Sequence, residues 1–176
     1  MRFVDFLKTT VLLSGAAATA LGAITVLAAA ADSNSRLVAI AAGWWVISAA
    51  IGLRLGRRAE VSPPISRLLA EARAESALPE HHPSAILLNR LWPLAVFALL
   101  AGGLAFLAPQ VPGIGAGFAI IWALAWRRQH GAVEAIEERD GVRFWVRRTS
   151  PLRPMALHRT PGFKAMRPES MNGARR

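Results

Sequence analysis

The chain contains no cysteine. Disulfide frameworks, thiolate catalysis and metal or iron–sulfur sites built on cysteine are therefore excluded. Ionisable side chains are also missing from the long apolar runs, except at their ends. Because charged residues inside membrane spans mark proton relays and ion-coupled pathways, this pattern disfavours a coupled transporter. The same pattern is compatible with a passive pore or a lipid-handling groove.

Catalytic motifs are missing too. The sequence has no serine nucleophile elbow and no glycine-rich loop for phosphates or dinucleotides. Its four histidines have no spacing typical of a metal site, and none lies in an apolar run where it could ligate haem. The sequence therefore predicts no enzymatic activity, no cofactor and no metal.

What the chain does contain is apolar and basic residues in separate stretches. Hydrophobic residues make up 53% of it, yet the formal net charge is +10. This combination is typical of a membrane protein with several spans and basic loops. We expect an all-α membrane protein with four transmembrane helices, a short interfacial helix and a small cytoplasmic β-hairpin. The expected spans are residues 9–31, 37–56, 85–108 and 113–130.

Residues 93–126 decide the number of spans. They carry no ionisable side chain and are interrupted by the Pro-Gln-Val-Pro-Gly sequence at residues 109–113. A helix that crosses ~30 Å of hydrocarbon needs about 17 to 25 residues. The stretch is too long for one span, and it fits two short ones.

The distribution of positive charge predicts the orientation. We place the N-terminus (residues 1–8), the loop at residues 57–84 and the C-terminal tail on one side of the membrane. Of the 21 Lys and Arg residues, Arg36 alone then lies on the other side. Under the positive-inside rule both termini are then cytoplasmic. The preference for arginine over lysine and the abundance of alanine are typical of a GC-rich bacterial genome. We therefore expect a bacterial cytoplasmic membrane.

The first apolar run has a second interpretation. Three alanines at residues 29–31 precede Asp32 and resemble the cleavage site of a secretory signal. The run from Thr9 to Ala31 is longer than the roughly 7 to 15 residues of a signal core, however. We favour an uncleaved first span.

The loop between the second and third spans is predicted to contain an amphipathic helix at residues 63–78. Ser62 precedes two prolines, which suit a first helical turn. Apolar residues then follow at helical spacing, with Ile65, Leu68, Leu69 and Ala72 on one face.

A β-hairpin is predicted within residues 132–160, followed by a basic flexible tail at residues 161–176. Asp-Gly is a strong signal for a type I′ turn, and pairing outward from it places opposite charges on either side of an Ile-Trp pair. The hairpin residues are Glu134, Ile136, Asp140, Gly141, Arg143, Trp145 and Arg147. Residues 155–159 are a candidate third strand. The alternative is a helix that continues from the fourth span through Arg139.

Small residues at four-residue spacing predict close helix packing, either within the chain or against another subunit. The candidates are Gly15, Ser48, Gly52, Gly56, Gly113, Gly117, Ala119 and Ala123. Trp44 and Trp45 lie in mid-span, where each indole N–H needs an acceptor. Another helix, a lipid or a cofactor are the open alternatives for these two rings.

Cationic residues at the span ends are predicted to contact anionic lipid headgroups. The candidates are Arg57, Arg58, Arg90, Arg127 and Arg128. Each charge close to an anionic leaflet contributes about 1 kcal/mol of attraction. Nucleic acid is not favoured as a partner, because the chain is tethered at the membrane and has no recognition motif.

These features favour a non-catalytic accessory, assembly or scaffolding subunit, whose partners are other membrane subunits or a second copy of itself. A passive or lipid-handling channel or transporter formed by homo-oligomerisation is the first alternative, with Trp44 and Trp45 lining a groove. A membrane-bound enzyme acting at the cytoplasmic face is the second.

Overall fold

The computed structural model describes residues 1–31, 33, 35–57, 60–74, 83–147, 149 and 154–161. Within them the helices are α1 (Phe3–Ala31), α2 (Ser35–Leu55), α3 (Pro63–Ala70), α4 (Pro83–Gly103), α5 (Gln110–Trp126) and α6 (Gln129–Asp140). A 3-10 turn at Leu104–Phe106 extends α4. The strands are β1 (Arg73–Ala74), β2 (Val142–Val146) and β3 (Leu157–Pro161).

Three helical segments in this part of the chain are long and apolar enough to cross a membrane: α1, α2 and α4 with its 3-10 turn. They confirm the expectation of a mostly helical protein and indicate a membrane location. Helix α5 is shorter, with 17 residues. It begins at Gln110, so residues 110–112, which were expected to separate the third and fourth spans, are already helical. Pro112 is tolerated there because amides of a first turn need no intrahelical partner.

Helix α5 packs mainly against α1 and α2. Its small residues make this close approach possible, since Gly113, Gly115, Ala116 and Gly117 are all buried. Along α5 the neighbours on α2 change from Ala41 near Gly113 to Gly52 near Leu124. The two helices therefore run parallel, and the four long helices form one bundle.

A hydrophobic cluster, which we call the junction core, lies at one end of this bundle. It joins the first turns of α1, helix α3, the start of α4, helix α6 and the sheet. Its buried members are Phe3, Val4, Phe6, Leu7, Ile65, Ala72, Ile86, Val133, Phe144, Val146 and Leu157. The N-terminus, the loop that contains α3 and the segment after α5 therefore meet at the same end of the bundle.

The sheet has the strand order β1-β3-β2, with β1 parallel and β2 antiparallel to β3. The other edge of β2 is occupied by the N-terminus. The Val146 amide donates to the Met1 carbonyl over 3.0 Å, and Arg2 forms an isolated antiparallel bridge with Trp145. The first two residues of the chain thus extend the sheet.

The predicted hairpin around Asp140 and Gly141 is wrong. Glu134, Ile136 and Asp140 lie in α6, which ends at Gly141 with φ of 63°. A type I′ turn needs positive φ at both central residues, whereas a single left-handed glycine is a common helix end. Val142–Val146 pairs with β3 instead, and Arg147 follows β2.

The predicted ends of two helices also need correction. The fourth apolar helix ends at Trp126 and not at residue 130, and Gly131 lies inside α6. Helix α3 ends at Ala70 and is followed by β1, so the predicted helix at residues 63–78 is too long. Ser62 occupies the N-cap position, with no side-chain capping bond. The predicted tail beyond Pro161 lies outside the described residues.

Candidate functional site

The two mid-span tryptophans bind to the backbone of α5. Trp45 Nε1 donates to the Gly113 carbonyl over 2.8 Å, and Trp44 Nε1 donates to the Ile114 carbonyl over 3.2 Å. A Cβ at Gly117 would overlap the Trp44 ring, 2.6 Å from its Cδ1 atom. Gly117 therefore makes room for the Trp44 ring, whereas Gly113 allows the close approach of Thr25 and Ala41.

Gly52 in α2 and Gly56 just after its end allow the same close packing between α2 and α5. A Cβ at Gly52 would lie 2.8 Å from Leu124 Cβ, and one at Gly56 would overlap the Leu124 carbonyl. Ser48, on the same stripe, is fully buried, and Ala119 on α5 is 3% exposed. Ala123 is half-buried. A Cβ at Gly15 meets nothing within 4 Å, so this glycine shows no close approach inside the described chain.

An ion pair ties the N-terminus to α6. Arg2 donates to Glu137 Oε2 over 2.6 Å, and the Phe144 amide donates to Glu137 Oε1 over 2.9 Å. The carboxylate is buried, with 4% of the side chain exposed, against 28% for Arg2. The hydrogen bond to Glu137 raises the pKa of the Arg2 guanidinium, which stays charged at every physiological pH. Glu137 thus joins the first turn of α1 to the start of β2.

Gln129 makes a second tie across the junction. Its side-chain oxygen accepts from the Ser62 amide over 2.9 Å, and its nitrogen donates to the Glu60 carbonyl over 3.4 Å. Gln129 is 8% exposed, so these bonds satisfy a buried amide. They hold the loop before α3 against the start of α6.

Asn89 and Arg90 make a third tie, from α4 to the segment between β2 and β3. Asn89 Nδ2 donates to the Thr149 carbonyl over 2.7 Å. Arg90 donates to the Thr149 hydroxyl, and to the Pro154 carbonyl over 3.3 Å. The predicted interfacial arginine is therefore held by the protein at a fixed place on α4.

Arg90 also lines a groove of about 600 Å³ between α1, α4 and α5, which we call the Arg90 groove. Its walls are otherwise almost entirely apolar. The lining residues are Phe6, Thr10, Arg90, Leu91, Pro93, Leu94, Phe97, Phe118, Ala119, Trp122 and Trp126. Trp122 and Trp126 stack with centroids 5.5 Å apart and rings inclined by 14°, which gives one wall a flat aromatic surface.

Two further grooves open between the long helices. One of about 600 Å³ is lined by residues of α1 and α5 together with Trp45, so this tryptophan faces an open crevice as well as α5. The other, about 490 Å³, lies between the end of α1 and the 3-10 turn. The residues lining these two grooves carry no charge, in contrast to the Arg90 groove.

Of the remaining predicted lipid contacts, Arg57, Arg127 and Arg128 lie at the same end of the bundle as the junction core. Arg57 and Arg128 are exposed, and Arg128 Nη1 donates to the Arg57 carbonyl over 3.1 Å. Arg127 is half-buried at the turn between α5 and α6. Arg58 lies outside the described residues. The structure thus brings Arg57 and Arg128 together.

Sequence reasoning missed Arg2, Glu137 and Gln129, although one signal was present. Gln129, Val133 and Glu137 recur at i, i+4 and i+8, and all three are buried on one face of α6. Their polar partners lie far away in the sequence, so the pattern alone could not name them. No cluster of three His, Asp or Glu residues that could hold a metal occurs in the described part of the chain.

Comparison of the chain with protein-family models, with curated proteins and with solved structures found no match in any of the three.

Proposed function

We propose that the chain is a non-catalytic, four-span protein of a bacterial cytoplasmic membrane that acts as an accessory, assembly or scaffolding subunit. Both termini are cytoplasmic in this proposal, and α5 is the fourth span. Its 17 residues are at the lower limit of about 17 to 25 for a crossing. Its apolar sequence and its position among three longer helices support this assignment.

The observation that carries the proposal is the junction core. It fixes α3, α6 and the sheet to the ends of the long helices through buried side chains from all of them. An accessory subunit needs such a fixed attachment, because a docking surface on a loose tether would lose more conformational freedom on binding. The charge distribution supports a cytoplasmic position for this end.

The docking surface that we propose is formed by the basic residues exposed around the sheet. Arg143 and Arg147 are exposed on one face, and Arg159, which pairs with Phe144 and therefore lies on the other face, is exposed as well. The small-residue stripes are less suited to a partner, because Gly52, Gly56, Gly113 and Gly117 already have close neighbours within the chain. The partner would present an acidic surface, with anionic lipid headgroups as the competing ligand.

The proposal is tested by affinity purification of the full chain in mild detergent, followed by mass spectrometry of proteins and lipids. We expect a membrane protein partner to co-purify reproducibly with the native chain. The triple variant Arg143→Gln, Arg147→Gln, Arg159→Gln should lose that partner. The matched control changes three exposed cations elsewhere at the same end, Lys8, Arg54 and Arg67, to glutamine and should retain it.

A chain that is always recovered alone as a monomer would contradict the accessory role. If both triple variants retain the partner, the docking surface lies elsewhere than on the sheet. Each result is informative only with properly folded protein, so the thermal unfolding of both variants is measured in the same detergent.

A further inference from the structure

We infer that the Arg90 groove binds an anionic phospholipid of the cytoplasmic leaflet, with its phosphate near Arg90 and one acyl chain along the groove. The inference rests on the membrane location and orientation proposed above, but it does not depend on the proposed protein partner. The occupant is a lipid of the surrounding bilayer and not a free phosphate, because most of the lining is apolar.

The first argument is the order of charged and apolar side chains along the groove. Arg90, Phe6 and Trp126 lie at the end nearest the junction core, whereas Phe97, Phe118 and Ala119 lie at the end deeper in the bundle. A phospholipid has the same order, with a charged group at the membrane surface and a hydrocarbon chain below it. The groove therefore matches an amphiphile in both chemistry and direction.

The second argument is depth. Helix α4 rises about 10 Å between its start at Pro83 and Arg90, because each residue adds about 1.5 Å. The apolar wall continues for a similar distance from Arg90 to Phe97. Arg90 is thus placed in the interfacial zone, where arginine normally meets lipid phosphates.

The third argument is that the groove is already formed. Bonds to Thr149 and Pro154 hold the guanidinium group in place. The Trp122 and Phe118 side chains remain 52% and 54% exposed, so their faces are open to a chain that enters laterally from the bilayer. A preformed site loses less conformational entropy on binding than a flexible one.

The test reconstitutes the full chain in vesicles of phosphatidylcholine that contain a minor fraction of phosphatidylglycerol. The protein is then extracted in mild detergent, and retained lipid is measured by native mass spectrometry. We expect phosphatidylglycerol to be retained in preference to phosphatidylcholine. Arg90→Gln should lower that retention about tenfold, since a lost charge-assisted bond is worth at least about 1.4 kcal/mol.

The control is Arg54→Gln, which removes one exposed charge at the same end of the bundle but does not line the groove. It should leave the retention unchanged. Because Arg90→Gln also removes bonds to Thr149, a second variant, Trp122→Ala, tests the site independently. Its side chain is half exposed, so its truncation should lower lipid retention without unfolding the protein.

Three results would overturn the inference. Equal retention of both lipids by the native chain would show no preference for the anionic headgroup. An equal loss in Arg54→Gln would assign the attraction to the basic surface as a whole. Retention unchanged by both Arg90→Gln and Trp122→Ala would place the lipid outside this groove.

Discussion

At the scale of single residues, the most consequential contact is the ion pair between Arg2 and Glu137. A buried carboxylate is stable only when its desolvation is compensated, and here both oxygens accept a hydrogen bond. The pair connects the first residues of the sequence to α6. The pair helps to fix the N-terminus at the β2 edge of the sheet, and in this way it makes the arrangement of the junction core specific.

We expect Arg2→Ala to lower the free energy of unfolding by about 2 kcal/mol. The value is below the roughly 3 to 5 kcal/mol of a fully buried broken pair, because Arg2 is partly exposed. Unfolding by titration of a denaturing detergent into mixed micelles measures the change. Lys8→Ala removes the same charge from an exposed position of the same segment and should change stability by less than about 0.5 kcal/mol. Equal effects of the two substitutions would contradict the role of the pair.

At the scale of elements, α6 is the segment where sequence and structure differ most. Gly131 is exposed inside this helix and a Cβ there meets nothing within 4 Å, whereas Gly141 ends the helix at φ of 63°. Two glycines that look alike in the sequence therefore have opposite conformational requirements. Only the second needs the left-handed region that glycine adopts without strain.

Gly131→Ala is expected to raise the free energy of unfolding by about 0.5 to 1 kcal/mol, because alanine is the better helix former. Gly141→Ala should lower it by about 1 to 2 kcal/mol, because a Cβ is strained in the left-handed region. Detergent-titrated unfolding of both variants gives the comparison, and each serves as the control for the other. A loss of stability in Gly131→Ala would show that the helix stops there, as the sequence alone suggested.

The long helices could be predicted because length and hydropathy determine them locally. The end of α5, helix α6 and the pairing of β2 could not, because they depend on partners that are distant in the sequence. Asp140 and Gly141 carry a strong local turn signal, yet the buried contacts of Val133 and the Glu137 carboxylate favour a helix up to that point. In the candidate site, the sequence predicted Arg90 as a lipid contact because it lies near the end of an apolar run. It could not predict the groove, which forms only when α1, α4 and α5 pack together.

At the scale of the whole molecule, the junction core sets the relation between the ends of the chain. Residues from the N-terminus, from the loop at α3 and from the sheet share this core, so these segments must lie on the same side of any membrane that the bundle crosses. Ser33, between α1 and α2, lies at the other end. With the four spans proposed above, each segment of the core follows an even number of membrane crossings.

Single cysteines test this arrangement directly, since the chain has none of its own. In spheroplasts, a membrane-impermeant maleimide should label Ser33→Cys without lysis. Arg67→Cys and Arg143→Cys, both exposed in the structure, should be labelled only after lysis. Labelling of Arg143→Cys in intact spheroplasts would contradict a cytoplasmic sheet, and labelling of Arg67→Cys there would contradict the positive-inside assignment.

The pairing of Met1 and Arg2 with β2 sets an order of events during synthesis. Arg2 and Glu137 are 135 positions apart, so this contact can form only after the helices between them have been synthesised. Ile65, Ile86 and Val133 of the junction core are made before β2, whereas the backbone pairing of Met1 and Arg2 needs β2 itself. A nascent chain stalled before residue 142 would therefore leave its first residues more open to proteases and chaperones, and their full protection would require β2.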